Sequence, residues 1–123
     1  DDEELIDFEF PSSFLYVIGR VGDEDVGFFM LQKLNMVCVE VHTIFHPKVF
    51  GSVIKFSTQL IEWVFKNTEF EKIITYVPDD NPKAKRLAER SGMKVEGFIT
   101  KSFRRNGKNI DQYVLGVSKC QQS

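Results

Sequence analysis

Apolar positions recur along this chain with two periods, and the switches between them mark its elements. FLYVIGRV at Phe14–Val21 and VGFFML at 26–31 are β-branched and aromatic runs separated by Gly22, Asp23, Glu24 and Asp25, which predicts an antiparallel hairpin closed by a polar turn. Leu34 and Asn35 mark a second turn. Beyond it VCVEVHTIF at 37–45 is a third strand: Val37, Val39, Val41, Thr43 and Phe45 share one face, and Cys38, Glu40, His42 and Ile44 share the other. Pro47 cannot donate to a ladder and holds His46 extended, so this strand stops there. The period then lengthens. Val53, Phe56, Leu60 and Val64, joined by Ile54, Ile61 and Phe65, form the wide apolar face of a helix that ends near Asn67 and Thr68. KIITYV at 72–77 reads as a buried strand before Pro78.

Strand, helix and strand make a crossover unit, so 37–45 and 72–77 are expected to be parallel neighbours with a right-handed connection. Asp79, Asp80, Asn81 and Pro82 open a second helix, with Asp80 or Asn81 as its cap and Pro82 in its first turn. Ala84, Leu87 and Ala88 turn inward along it, and Gly92 ends it. The last two strands, 93–103 and 109–117, are joined through Asn106 and Gly107, a tight-hairpin pair. The first ten residues are acidic, with Leu5, Ile6, Phe8 and Phe10 interspersed; they are expected to form a short helix or the end of one. Residues 119–123 read as a frayed tail.

Length and composition narrow the class. The 123 residues carry no internal repeat and suffice for one domain around one core. With 42% hydrophobic and 28% charged residues the chain is an ordinary globular one, and 12 Phe, 3 Tyr and one Trp make its core rich in rings. A net charge of −2, from 16 bases and 18 acids, gives no reason to expect a nucleic-acid or membrane partner. Bases nevertheless gather at 83–90 and 101–108 and acids at 1–9 and 23–25, an asymmetry that suits an anionic ligand near the second half, although a charge run is ordinarily solvated surface. Cys38 lies in an apolar run and Cys120 in the polar tail. Without a signal peptide or disulfide-like spacing, two reduced thiols in a cytoplasmic protein is the simplest reading. No apolar run approaches the length of about 20 residues that a membrane helix needs.

Chemistry concentrates at 46–66, HPKVFGSVIKFSTQLIEWVFK, where a strand passes through a basic turn with a single glycine into a helix. Free N–H groups of the first helical turn and the helix dipole make such a junction suited to an anion such as phosphate. One step upstream, Glu40 and His42 stand two residues apart on one strand face, within reach of one ligand.

Hairpin, strand, basic glycine turn, helix, parallel strand, Asn-initiated helix and closing hairpin follow in an order that resembles the GCN5-related N-acetyltransferase (GNAT) superfamily. Phe65, Ile73, Asn81, Ala84, Leu87, Gly92, Met93, Glu96 and Gly97, then Gly107 and Asp111, are spaced in a way similar to its ribosomal-protein-acetylating branch, and the likeness covers 14–119. It implies an α+β chain of α/β/α layering in one domain, 1–123, with only a partial N-terminal region at 1–12. The sheet would be mixed and mostly antiparallel, with a central parallel strand pair splayed for the cofactor. The implied activity is transfer of acetyl from acetyl-coenzyme A to an amine of a protein or small molecule, without a metal. In the family's pyrophosphate motif, Lys48, Gly51 and Val53 hold the corresponding positions, within the loop Lys48, Val49, Phe50, Gly51, Ser52 and Val53. The pantetheine arm would pair with backbone near Ile44 and Phe45 and meet Asn81 and Ala84. Glu40 and His42 are then the candidate bases for the ammonium proton, directly or through water, and a backbone N–H near Ile44 the donor to the oxyanion. The chain departs from the pattern at Val53, where the motif has a small residue, at Ala88, where it has a tyrosine acid, and at Met93, where it has Phe.

Blander roles compete with these. Glu40 can pair with a nearby Lys or Arg, His42 can be a satisfied core histidine, and His46 can cap the turn. His42 and His46 lack a well-spaced third metal ligand. Asn81 suits a plain helix cap, and Asp111 can either hold the hairpin register or bind an amine. A different class of function also stays open. Ser102, Asn106, Gly107, Asp111, Gln112 and Gly116, with Phe50 and Gly51, look most like small acetyltransferase-like proteins of tailed bacteriophages. That likeness implies a catalytically inactive structural or binding protein of the same fold, in the host cytoplasm or the virion, assembling as a homo-oligomer or with virion components.

Overall fold

Residues 3–9 and 14–119 are described by the structure, a computed structural model. Strands β1 (Glu3–Glu9), β2 (Phe14–Val21), β3 (Glu24–Lys33), β4 (Cys38–Phe45), β5 (Lys72–Pro78), β6 (Lys94–Arg105) and β7 (Lys108–Ser118) form one sheet in the spatial order β1-β2-β3-β4-β5-β7-β6. Helix α1 (Phe50–Asn67) crosses from β4 to β5, and α2 (Pro82–Arg90) follows β5. Every neighbouring pair is antiparallel except β4 and β5. This is the mixed, mostly antiparallel sheet with a central parallel pair that the family resemblance implies.

The N-terminal segment differs from expectation: Glu3–Glu9 is a strand, not a helix, laddered to β2 from Glu3↔Val21 to Glu9↔Leu15. The physical reason is competition for backbone hydrogen bonds. A helix this short is marginal in water, whereas the outer edge of β2 offers partners to the whole segment, and Ile6 and Phe8 recur with the period of a strand. Phe10, Cys120 and the tail at 120–123 lie outside the described residues.

One sheet face builds the core. Val17, Phe29, Val39, Ile73 and Leu115 meet Phe56, Leu60 and Val64 of α1, all at 2% exposure or less; full burial of such side chains is worth about 1.5–3 kcal/mol each. A column of rings ties this core to the end of β4: Phe45 lies 5.0 Å from Phe29 and is stacked 5.4 Å from Phe56. Gly19 makes room for that column, since a Cβ there would sit 2.5 Å from Phe45 Cε1. Ala84 and Ala88 of α2 pack on the same core, so both helices stand on one face. The opposite face presents half-buried Tyr16, Phe28, Met30, Glu40, His42 and Tyr76, and no helix among the described residues covers it.

The closing hairpin turns through Asn106 and Gly107, with φ of 52° and 78°, the double left-handed turn its sequence favours. Within β6 the register shifts between Ile99 and Phe103. There Lys101 adopts φ 50° and donates its N–H to Asp111 Oδ1 at 2.8 Å. Asp111 therefore holds the hairpin register.

Candidate active site

The parallel pairing of β4 and β5 is short: Cys38↔Lys72, Val39↔Ile73 and Glu40↔Ile74. One step on, Thr75 Oγ1 donates to the Val41 carbonyl at 3.0 Å, and from there the strands diverge. The cleft between them has a volume of about 590 Å³ and is lined by His42, Thr43, Ile44 and Phe45 of β4, by 75–78 of β5, by Asn81, and by residues of both helices that include Val53, Ser57 and Ala84.

Strand alternation decides which backbone groups enter this slot. His46 donates its N–H to Val26 of β3 at 3.0 Å, and the Ile44 carbonyl lies so close to Gly27 that a Cβ on that glycine would collide with it. Even-numbered positions of β4 therefore turn their backbone to β3, whereas Val41, which accepts from Thr75, faces β5. Thr43 and Phe45 share the parity of Val41. The expected backbone donor near Ile44 is thus displaced by one residue, to Thr43 and Phe45, because the ladder with β3 claims Ile44. Ile44 instead lines the mouth with a side chain 50% exposed. On the facing wall Lys72 donates its N–H to Val37 of the β4 side at 3.0 Å, so the same parity turns the Tyr76 backbone into the slot.

At one end of the slot a single 3-10 turn, Pro47–Val49, leads into α1. His46 shapes it: Nδ1 accepts the Lys48 N–H at 3.1 Å and the carbonyl accepts the Val49 N–H at 3.0 Å. Val49 caps α1 without any side-chain hydrogen bond, and no acidic residue stands in the first turn. The N–H groups at 50–52 accordingly have no intrahelical partner. Gly51 is exposed, and a Cβ there would meet nothing within 4 Å. Ser52 beside it is half-buried. Lys48 reaches Glu24 at 3.4 Å, with both side chains more than half exposed at 55% and 65%, a pairing that costs little to exchange for another anion. Val53 is 3% exposed and belongs to the cleft wall and core. Its branched side chain thus stands in the wall of the cleft, where the family motif has a small residue.

Asn81 opens α2. Its Oδ1 accepts the Ala84 N–H at 3.2 Å, and its own N–H donates to the Pro78 carbonyl at 3.0 Å. The cap uses the acceptor end of the amide, and the donor end is on the cleft-lining side chain. Two substitutions separate these uses. Asn81→Ala should cost about 1 kcal/mol in denaturant melts. Asn81→Asp keeps the cap and should leave stability near wild type, while removing the amide donor.

Glu40 and His42 meet on the open face: His42 Nε2 lies 3.0 Å from Glu40 Oε2, with Glu40 13% exposed and His42 40%. The partner of Glu40 is therefore this imidazole and not a Lys or Arg. Lys72, the base nearest in register, is held by Glu96 at 2.6 Å and Ser118 at 3.0 Å. Burial pushes the Cys38 thiol up, against a smaller opposing pull from Lys72. Cys38 thus stays protonated near neutrality and is a poor nucleophile. No cluster of metal-ligating side chains occurs among the described residues. Sequence reasoning passed over Thr43, Ser57, Thr75 and Tyr76, all cleft-lining. Parallel register alone would have put Tyr76 on the Glu40 face, two residues beyond Ile74. Ala88 and Met93 line the cleft too.

The family described as Protein of unknown function (DUF2824) matches residues 2–122. The chain belongs to DUF2824. Protein p31 of Acyrthosiphon pisum secondary endosymbiont phage 1 is 27% identical to this DUF2824 chain over 114 residues, 92% of the chain and 74% of p31. Among solved structures, a chimera of Vibrio cholerae spermidine N-acetyltransferase with hSSAT superposes with a TM-score of 0.85 at 20% identity, over 91% of this chain and 70% of that one. The V. cholerae enzyme in complex with CoA and spermine gives 0.83 at 21% identity, over 90% and 69%. The DUF2824 chain thus has the fold of the GNAT acetyltransferases.

Proposed function

We propose that this protein is an N-acetyltransferase that uses acetyl-coenzyme A to acylate an amine. The observation that carries the reading is the cleft between the splayed ends of β4 and β5, lined by His42 of the Glu40–His42 pair and by Val53, which closes the first turn of α1. Each part suits one portion of the reaction. N–H groups at 50–52 and Lys48 receive the diphosphate. Phe45 and Tyr76 offer backbone partners to the pantetheine arm, and the Asn81 amide offers a donor beside it. Thr43 N–H faces the slot where a thioester carbonyl would become an oxyanion.

His42, its imidazole 3.0 Å from the Glu40 carboxylate, takes the ammonium proton of the acceptor directly or by one water. The neutral amine then attacks the thioester carbon, the tetrahedral adduct loses its second amine proton to solvent and collapses, and the coenzyme A thiolate leaves and takes a proton from solvent or the Tyr76 phenol. Amines of proteins and of small molecules both fit a mouth that opens on an uncovered sheet face; polyamines are one class to assay, since the V. cholerae structure holds spermine.

Calorimetric titration with acetyl-coenzyme A tests the reading, followed by coenzyme A release assays with spermidine and lysine-containing peptides. Micromolar binding and turnover of at least one amine are expected. Affinity weaker than about millimolar would sink it and leave a structural or virion-assembly role for this fold.

A further inference from the structure

The closed end of the slot is set by a side chain, not by the ladder. Beyond Glu40↔Ile74, a parallel ladder would continue by donating the next β4-facing N–H of β5, that of Tyr76, to the Val41 carbonyl. In this protein Thr75 Oγ1 takes that carbonyl, at 3.0 Å. A hydroxyl hydrogen bond satisfies the buried acceptor while releasing the strands from ladder spacing, so β4 and β5 part at this point. From Val41 to Phe45 the wall of the slot spans four residue steps, about 13 Å at the rise of a strand.

The diphosphate end lies at the start of α1, beyond Phe45, so the acyl end of a coenzyme A thioester lies toward Val41. Thr75 lines the cleft together with Val41, Ile73 and, from α1, Leu60 and Ile61, the last four of them at most 6% exposed. These four side chains are apolar and packed, and the Thr75 hydroxyl beside Val41 is already bonded.

From this arrangement we infer that Thr75 determines the length of acyl group the protein accepts, closing the slot behind an acetyl methyl and excluding longer chains. The inference rests on the coenzyme A reading above. It gives the two parts of one side chain separate duties: the hydroxyl holds the strands apart, and the methyl fills the floor.

Calorimetric affinities for acetyl- and butyryl-coenzyme A, measured on wild type, Thr75→Ser, Thr75→Ala and Thr75→Val, test both duties. Wild type should favour acetyl. Thr75→Ala should raise the butyryl-to-acetyl affinity ratio by about tenfold or more, the range expected for methylene-sized changes in an apolar pocket. Thr75→Ser keeps the bond to Val41 and should move the ratio in the same direction by less, which covers the case in which the alanine variant does not fold. Thr75→Val keeps the bulk and loses the hydroxyl, so the ladder extends and both thioesters should weaken together at least tenfold with the ratio unchanged. A ratio that stays within twofold of wild type in both the serine and alanine variants overturns the role in length selection, and full affinity in Thr75→Val overturns the role of the hydroxyl. Failure of wild type to bind either thioester is a different result, which removes the coenzyme A reading and this inference with it.

Discussion

Gly51→Asp should abolish acetyl-coenzyme A binding while leaving the protein folded and slightly more stable. The two effects have separate origins. Gly51 is the second residue of α1, exposed, and a Cβ added to it would meet nothing within 4 Å, so a side chain enters without a clash. Replacing a helical glycine recovers roughly 0.5–1 kcal/mol of chain entropy, and a carboxylate near a helix N-terminus adds about 0.3–1 kcal/mol. That carboxylate would occupy the space into which the N–H groups at 50–52 point and face the diphosphate with like charge, a juxtaposition that costs several kcal/mol. Loss of at least about 100-fold in affinity follows. Denaturant melts and calorimetry on the same sample check both halves. Undiminished binding would remove the first turn of α1 from the site; a destabilised variant would mean that the glycine serves the fold. Gly51→Ala is the control, gaining stability without charge and keeping most of its affinity.

Why Gly51 was legible in the sequence and Thr75 was not says what each signal rests on. Pro47 ends one strand, a helical period begins six residues later at Val53, and the glycine lies between; these are covalent and periodic features that act locally. The same holds for Asn106 and Gly107, whose left-handed φ values the turn requires, and for Glu40 and His42, which any strand would bring to one face. Their pairing at 3.0 Å needed only the i, i+2 geometry. Three features depended on long-range choices instead. Glu3–Glu9 became a strand because β2 had an edge to offer. The slot-facing backbone fell to Thr43 and Phe45 because β3 claims the even positions of β4, a parity visible only once the sheet order is known. Thr75 is an ordinary strand residue until Val41 lies beside it.

Removal of the imidazole should be the most damaging change to turnover. His42→Ala is expected to lower kcat by about 10²–10⁴-fold, the contribution of a positioned general base, with little change in acetyl-coenzyme A affinity, because the diphosphate and pantetheine contacts lie elsewhere in the slot. Glu40→Gln should cost less than His42→Ala. A glutamine keeps a polar side chain of the same size beside the imidazole, and what is lost is the negative charge that stabilises the imidazolium once the proton has been taken. Because Glu40 acts through His42, the pair should be strongly non-additive: Glu40→Gln on top of His42→Ala should cost almost nothing further. Single-turnover rates for the four proteins of this cycle, at matched saturation with acetyl-coenzyme A, give the answer. Additive losses would mean that Glu40 meets the acceptor amine itself. Unchanged rates in both single variants would take the base away from this face of β4 and leave the Tyr76 phenol, or bulk water, to remove the proton.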